Sequence, residues 1–202
     1  MAADGFNEDI RDALQEIANV AVGEAADKIA RSFSTFVQIP IPSVHLIEAA
    51  DIMMALTAIE SGEQITAVTQ PFFGHGISGE ALLLFTDASM SELSQLMGYN
   101  ETCDDHKQVE LVLEMASLLN GSCIRGICSQ LDIDVLLKHP SLLAQHTSLN
   151  DIVSDQRFPW SHTLAIEINY HFEDYSIACD LVILLHENSL DGLFRQVNCL
   201  LD

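Results

Sequence analysis

The sequence predicts an internally duplicated, pseudo-twofold α+β protein, in which two long helices pack on one face of a mainly antiparallel sheet. Three observations support this fold class: an apolar composition, a helical pattern that occurs twice at a fixed interval, and a pair of apolar strands after each helix. Of the 202 residues, 49% are hydrophobic and 19% are charged, and the mean hydropathy is +0.23. A chain of this composition can bury a large core, which excludes an acidic disordered tail.

The charge and the N-terminal sequence restrict the expected partners and compartment. The formal net charge is −22, with 8 Lys and Arg against 30 Asp and Glu. Nucleic acid and anionic membrane surfaces are therefore not expected as partners, because both require clustered basic residues. The N-terminus lacks the features of a secretory signal, and the apolar runs 81–85 and 181–185 are too short to span a bilayer. We expect a cytoplasmic protein without membrane insertion.

The cysteines and histidines show no metal-binding pattern. Five scattered cysteines contain no CxxC pair, so buried thiols are expected rather than disulfides or a zinc site. The eight histidines match no ligand spacing. We therefore predict no metal site in this chain.

Two long helices are predicted, one in each half of the chain. The first extends from about Asp9 to about Phe33, and the second from about His106 to about Leu131. Both predictions depend on apolar residues at helical spacing. These residues are Ile10, Leu14, Ile17, Ala21 and Ala25 in the first helix and Val109, Leu113, Ala116 and Cys123 in the second.

Two strands are predicted after each long helix, followed by a short closing helix. The strands are Ile65–Gln70, Ile77–Phe85, Leu164–Tyr170 and Ile177–Leu185. Their strand–turn–strand order indicates antiparallel pairing. Ser89 and Ser189 are the expected N-caps of the closing helices. The polar stretch Ser141 to Trp160 is expected to be a long loop.

The two halves align as copies of one unit. Glu16 and Glu114 are 98 residues apart, as are Pro42 and Pro140. The alignment drifts to an offset of 99 for the segments 65–73 and 164–172, and to 100 for the closing helices. We therefore expect residues 1–202 to form a single domain with repeats at about 8–100 and about 106–202.

A polar stripe is predicted on the outer face of the first helix. Asp12, Glu16, Asn19 and Gly23 are spaced so that they form one line, which lies away from the apolar side. A glycine inside a helix costs about 1 kcal/mol relative to alanine, and close approach of another backbone at Gly23 would explain it. A single such stripe is usually an ordinary solvated helix face, but this one recurs. The second stripe consists of Glu110, Glu114, Ser117 and Gly121.

The first stripe resembles the signature of a known family. The pattern Asp12-x3-Glu16-x2-Asn19-x22-Pro42 is similar to that of the CheC/CheX/FliY family of chemotaxis phosphatases. The hairpin segment from Gly76 to Phe85, with the sequence GISGEALLLF, also resembles the family's central strand motif. The resemblance includes the duplication. No second domain of the flagellar-switch type is seen in the sequence, so we expect the chain to resemble stand-alone CheC more than FliY.

The resemblance implies a phosphatase that hydrolyses the aspartyl phosphate of a CheY-like receiver domain. Glu16 then corresponds to the acid that docks the receiver, and Asn19 to the amide that orients the attacking water. Asp12, Gly23 and Pro42 correspond to supporting positions. No cofactor of its own is implied, since the receiver supplies Mg²⁺. The resemblance also suggests a CheD-like deamidase as a further partner, and we consider a second copy of this chain as the partner in a homodimer. The implied pathway is chemotaxis or related two-component signalling.

The second stripe departs from the family pattern. Glu110 stands where Asp or Ser is usual, and Ser117 stands where Asn is expected, although Pro140 keeps its spacing. A serine is too short to hold the water, so this site is expected to be degenerate. Asn120 lies about 60° around the helix from Ser117 and is not expected to replace it. Two alternatives to the enzyme therefore remain open: a non-catalytic module that binds receivers or a CheD-like protein, and a homodimerising structural domain.

Overall fold

The two long helices begin and end within one residue of the predicted positions. The computed structural model describes residues 5–48, 63–99, 104–155 and 162–201. Its helices are α1 (Glu8–Phe33), α2 (Met90–Leu96), α3 (Asp105–Gln130), α4 (Leu149–Asp155) and α5 (Glu187–Leu201). Each long helix has a side-chain N-cap, which satisfies a backbone donor of its first turn. Asn7 accepts the N–H of Ile10 at 2.9 Å, and Asp104 accepts the N–H of Lys107 at 2.9 Å.

The strands form one antiparallel sheet, as predicted. They are β1 (Val37–Gln38), β2 (Ser43–Glu48), β3 (Gln64–Gly74), β4 (Ile77–Thr86), β5 (Leu136–Leu137), β6 (Ser141–Ser148), β7 (His162–Phe172) and β8 (Ile177–Leu185). The strand order is β1-β7-β8-β4-β3-β5, with β2 also paired to β7 and β6 also paired to β3. Both repeats therefore contribute to the same sheet, and β4 and β8 join them at its centre.

An approximate twofold axis passes through the centre of the sheet. Leu82 of β4 lies opposite Val182 of β8, and these residues are equivalent in the two repeats at an offset of 100. For β3 and β7, the burial patterns match at an offset of 98. The offset of 99 expected for this segment is therefore wrong. The difference lies in the turns, because two residues connect β3 to β4 whereas four connect β7 to β8.

The larger core lies between the sheet and the long helices. Phe85, Tyr170 and Phe172 are among its fully buried side chains. Helices α1 and α3 approach each other closely at Ala21 and Gly126, where a Cβ added to Gly126 would lie 3.0 Å from the Ala21 Cβ. Because side chains alternate along a strand, Leu82 and Val182 belong to the other face of the sheet. There they form a smaller cluster that includes Ile152 of α4.

Helix α3 passes a length-and-composition test for a membrane span. It contains an 18-residue window with a mean hydropathy of 1.3. However, 61% of that window is buried inside the protein, where α3 packs against α1 and the sheet. The core helix of a globular protein satisfies the same test, and the packing accounts for the apolar composition of α3.

Two local predictions are wrong. The stretch from Ser141 was expected to be a loop, but it forms β6 and α4, and residues 156–160 at its end lie outside the described part of the chain. Ser89 does occupy the N-cap position of α2, but its side chain makes no capping hydrogen bond, and Ser189 is not an N-cap. The Ser89 hydroxyl bonds that of Thr86 at 2.9 Å, and Ser189 lies within α5 and accepts the N–H of Ser78 at 2.9 Å. Both serines are buried. The hydroxyl of Ser89 makes a local bond within the chain segment before α2, whereas that of Ser189 makes a tertiary contact with β4.

Candidate functional site

The first polar stripe lies on the solvent-exposed face of α1. Asp12, Glu16, Asn19 and Gly23 are all exposed, whereas Leu14 on the same helix is only 1% exposed. The 3.6-residue repeat of the helix produces this separation, since the stripe and the apolar positions have different phases. The structure therefore places the four residues on one accessible line.

Glu16 and Asn19 are available to a partner. Within the described parts of the chain, neither side chain makes a hydrogen bond or an ion pair, and Val20 beside them is 39% exposed. Asp12, by contrast, pairs with Arg11 at 2.9 Å, and this contact raises the pKa of Arg11. The stripe thus presents one free carboxylate and one free amide, three residues apart on the same face.

The environment of Gly23 corrects one expectation from the sequence. A Cβ added at Gly23 would meet nothing within 4 Å. The close approach expected there is therefore absent within the described residues, and the surface beside the glycine is open. Helix packing occurs instead at Gly126 of α3, which the sequence analysis did not identify.

The two prolines of the pattern have structural positions. Pro42 is buried and directly precedes β2, and Pro140 is half-buried and directly precedes β6. Proline lacks a backbone N–H, and it is tolerated at the start or the edge of a strand. The burial of Pro42 means that it belongs to the packed interior and not to the exposed stripe.

The second stripe is also on the surface, but it is partly covered. Glu110, Glu114 and Ser117 are exposed on α3. The Lys107 ammonium lies 3.4 Å from a carboxylate oxygen of Glu110 and balances its charge. Gly121 is buried, because the guanidinium of Arg125 lies over it. A Cβ added at Gly121 would be 2.6 Å from Nη2 of Arg125.

Asn120 does not supply the amide that the second stripe lacks. Its exposure is 0%, and neither its Oδ1 nor its Nδ2 has a hydrogen-bond partner among the described residues. The equivalent residue of α1 at an offset of 98 is Val22, which is also buried. The structure therefore agrees with the expectation that Asn120 does not replace Ser117 at the surface.

The described residues show no candidate metal site. They contain no group of three or more His, Cys, Asp or Glu side chains suited to a metal ion. Burial raises the pKa of Cys123 and of Cys128 to about 12, so neither thiol is a ready nucleophile. Cys179 is also buried, as expected, whereas Cys199 is exposed. Cys103 lies outside the described residues.

Comparison of the structure with solved structures identifies the fold. FliY from Thermotoga maritima superposes with a TM-score of 0.70 at 18% sequence identity, over 96% of this chain and 98% of FliY. The chain has the CheC/CheX/FliY fold. No protein-family model matches the sequence, and no curated protein is similar to it in sequence. The similarity is thus one of structure.

Two further solved structures superpose on most of this chain. The FliM middle domain from H. pylori has a TM-score of 0.63 at 12% identity, over 95% of this chain and 99% of that domain. The chemotaxis protein CheX from Desulfovibrio desulfuricans has a TM-score of 0.55 at 14% identity, over 85% of this chain and 99% of CheX. The resemblance noted in the sequence is therefore confirmed at the level of the fold, and chemotaxis proteins share it.

Proposed function

We propose that this chain is a phosphatase that hydrolyses the aspartyl phosphate of a CheY-like receiver domain. The observation that carries the proposal is the exposed pair of Glu16 and Asn19 on α1. Neither side chain makes a hydrogen bond or an ion pair with another described residue. The CheC/CheX/FliY fold supports it, because the same positions carry the resemblance to that family's signature. The working site is the first stripe, with Asp12, Gly23 and Pro42 in supporting positions.

Hydrolysis of the aspartyl phosphate requires this chain only to position a water molecule and to dock the receiver. Phosphoryl transfer requires an in-line nucleophile and stabilised charge, and the receiver itself holds Mg²⁺ and the phosphoryl group. An amide both donates and accepts hydrogen bonds, so Asn19 holds a water in line without becoming a nucleophile. The carboxylate of Glu16, one turn earlier, pairs with a cation of the receiver and sets the depth at which Asn19 enters.

The open surface beside Gly23 fits the same role. A side chain at this position would project from the stripe toward the docked receiver. The absence of a Cβ, with nothing within 4 Å of its place, lets the receiver backbone come close to α1. Placement matters, because a shift of about 1 Å at a catalytic group can cost about 10²-fold in rate.

The net charge of −22 affects how the partners meet. Receiver active sites are acidic, so the two proteins repel each other at long range. Docking then depends on local contacts, and salt screens the repulsion. We expect the association rate to rise with ionic strength. A rate that falls as salt is added would contradict this mode of docking.

The decisive assay measures loss of phosphate from a phosphorylated CheY-like receiver. We expect the wild type to accelerate it and Asn19→Ala to lose about 10²-fold of the acceleration. Asn198→Ala is the matched control, because Asn198 is an exposed helical asparagine on α5. Glu16→Gln is expected to weaken docking, whereas Glu24→Gln, at a position about 80° around α1 from Glu16, is expected to have little effect. No acceleration by the wild type would contradict the activity, and acceleration that survives Asn19→Ala would contradict the site.

A non-catalytic binding module is the second candidate, and the second stripe favours it. Glu114 is exposed for docking, but Ser117 cannot hold the water. In this alternative the chain regulates a receiver or a CheD-like deamidase by occupancy. Tight receiver binding without hydrolysis in the same assay would select it. Both candidates place the chain in the cytoplasm, in chemotaxis or a related two-component pathway.

A further inference from the structure

The two glycines of the stripes have opposite surroundings, although they are equivalent in the repeats. Gly23 is exposed and has open space beside it, whereas Gly121 is buried beneath Arg125. The Cζ of Arg125 would lie 3.2 Å from a Gly121 Cβ, and its two terminal nitrogens 2.6 and 3.3 Å away. The guanidinium therefore occupies the gap that remains free on α1.

The charge at this end of the stripes is also reversed. Arg125 follows Gly121 by four residues, and the residue that follows Gly23 by four is Asp27. The Asp27 carboxylate forms an ion pair with Arg31, with 2.8 Å between Oδ2 and Nη2, and does not cover Gly23. Arg125 has no ion pair or hydrogen bond within the described parts of the chain. Its positive charge is therefore uncompensated on the second stripe.

We infer that Arg125 closes the second stripe to receivers, so that each chain docks one receiver, on α1. The inference rests on the proposed function, because the same docking mode is assumed for both stripes. The guanidinium fills the space into which the receiver backbone would enter, and it adds a cation to a stripe whose Glu114 would otherwise attract one. Arg125 thus determines which stripe is used, independently of the missing asparagine at position 117.

This inference differs from simple loss of the catalytic amide. If Ser117 alone silenced the second site, Ser117→Asn would restore it. With Arg125 in place, an asparagine at position 117 would still face a covered glycine and a repelling charge. Restoration should therefore require a second substitution, Arg125→Asp, which installs the residue found at the equivalent position of α1.

The kinetic test uses an Asn19→Ala background, in which the first stripe is silent. We expect Ser117→Asn to add little dephosphorylation, and Ser117→Asn with Arg125→Asp to exceed it by about tenfold or more, because a misplacement of about 1 Å at the catalytic group can cost about 10²-fold in rate. Arg195→Asp replaces Arg125→Asp in the control, because Arg195 is an exposed arginine on α5 and the substitution makes the same charge change. Full restoration by Ser117→Asn alone would overturn the inference.

The binding test does not depend on hydrolysis. A receiver loaded with beryllofluoride, a stable mimic of the phosphoryl group, is titrated into the protein by calorimetry. We expect one receiver per wild-type chain and two per chain for Arg125→Asp. One receiver per chain in both proteins would overturn the role of Arg125 and leave the proposed function intact. No binding by the wild type would overturn both.

Discussion

Replacing Gly23 by alanine separates the stability of α1 from its proposed use as a docking surface. Gly23 lies inside a 26-residue helix, and its backbone is not left-handed. An added Cβ would meet nothing within 4 Å, so alanine brings no steric cost. It does recover the helix propensity that glycine lacks, about 1 kcal/mol. We expect Gly23→Ala to raise the free energy of unfolding by about this amount and Tm by about 2–4 °C.

The same substitution should impair the phosphatase. Its methyl group would occupy the space through which the receiver backbone reaches α1, and would hold Asn19 away from the phosphoryl group. We expect the rate of receiver dephosphorylation to fall by about 10-fold to 10²-fold. Urea unfolding followed by circular dichroism, and phosphate release from the receiver, should be measured on the same preparation.

Gly192→Ala is the matched control. Gly192 lies inside α5, and a Cβ there would also meet nothing within 4 Å. This variant should gain similar stability and keep full activity. If Gly23→Ala is stabilised but equally active, Gly23 has no part in docking. If it is not stabilised at all, the surface beside Gly23 is not open.

Three further substitutions test buried and half-buried positions. Gly126→Ala should lower the free energy of unfolding by about 1 kcal/mol, because its contact with Ala21 costs more than helix propensity returns. Asn120→Val, which copies Val22, should raise it by about 1–3 kcal/mol; destabilisation would mean that water binds the amide. Burial raises the pKa of Asp180, so its charge opposes folding at neutral pH. Asp180→Asn should therefore be more stable than the wild type at pH 7, and the difference should shrink as the pH falls; a difference independent of pH in urea unfolding would contradict this.

The elements with strong periodicity could be predicted from the sequence. Helices α1 and α3 repeat apolar residues over about seven turns, and β4 and β8 contain the continuous apolar runs 81–85 and 181–185. The segment Ser141–Ser148 gave no such signal, because β6 is an edge strand whose side chains are only half-buried or exposed. The N-cap predictions depend on details that the sequence pattern does not contain. A serine before a helix suggests a cap, but the Ser89 hydroxyl bonds the nearby Thr86, and the Ser189 hydroxyl bonds Ser78 in the other repeat.

The candidate site was accessible to sequence reasoning in part. The phase of a helix places Asp12, Glu16 and Asn19 on one exposed line, and the structure agrees. The role of Arg125 could have been suspected, since the repeat aligns it with Asp27. Its position over Gly121 could not, because that depends on side-chain rotamers. The packing of Gly126 on Ala21 depends on how α1 and α3, which are far apart in the sequence, cross in the folded protein.

The twofold axis between Leu82 and Val182 has a consequence for how the exposed surfaces of α1 and α3 differ. In a dimer of identical chains, every substitution appears twice, so a charge that suits one surface is imposed on the other. Here the two halves are joined in one chain, and each position can vary alone. A symmetric scaffold can therefore carry an aspartate on one helix and an arginine at the matching place on the other, and present two different surfaces from a single core.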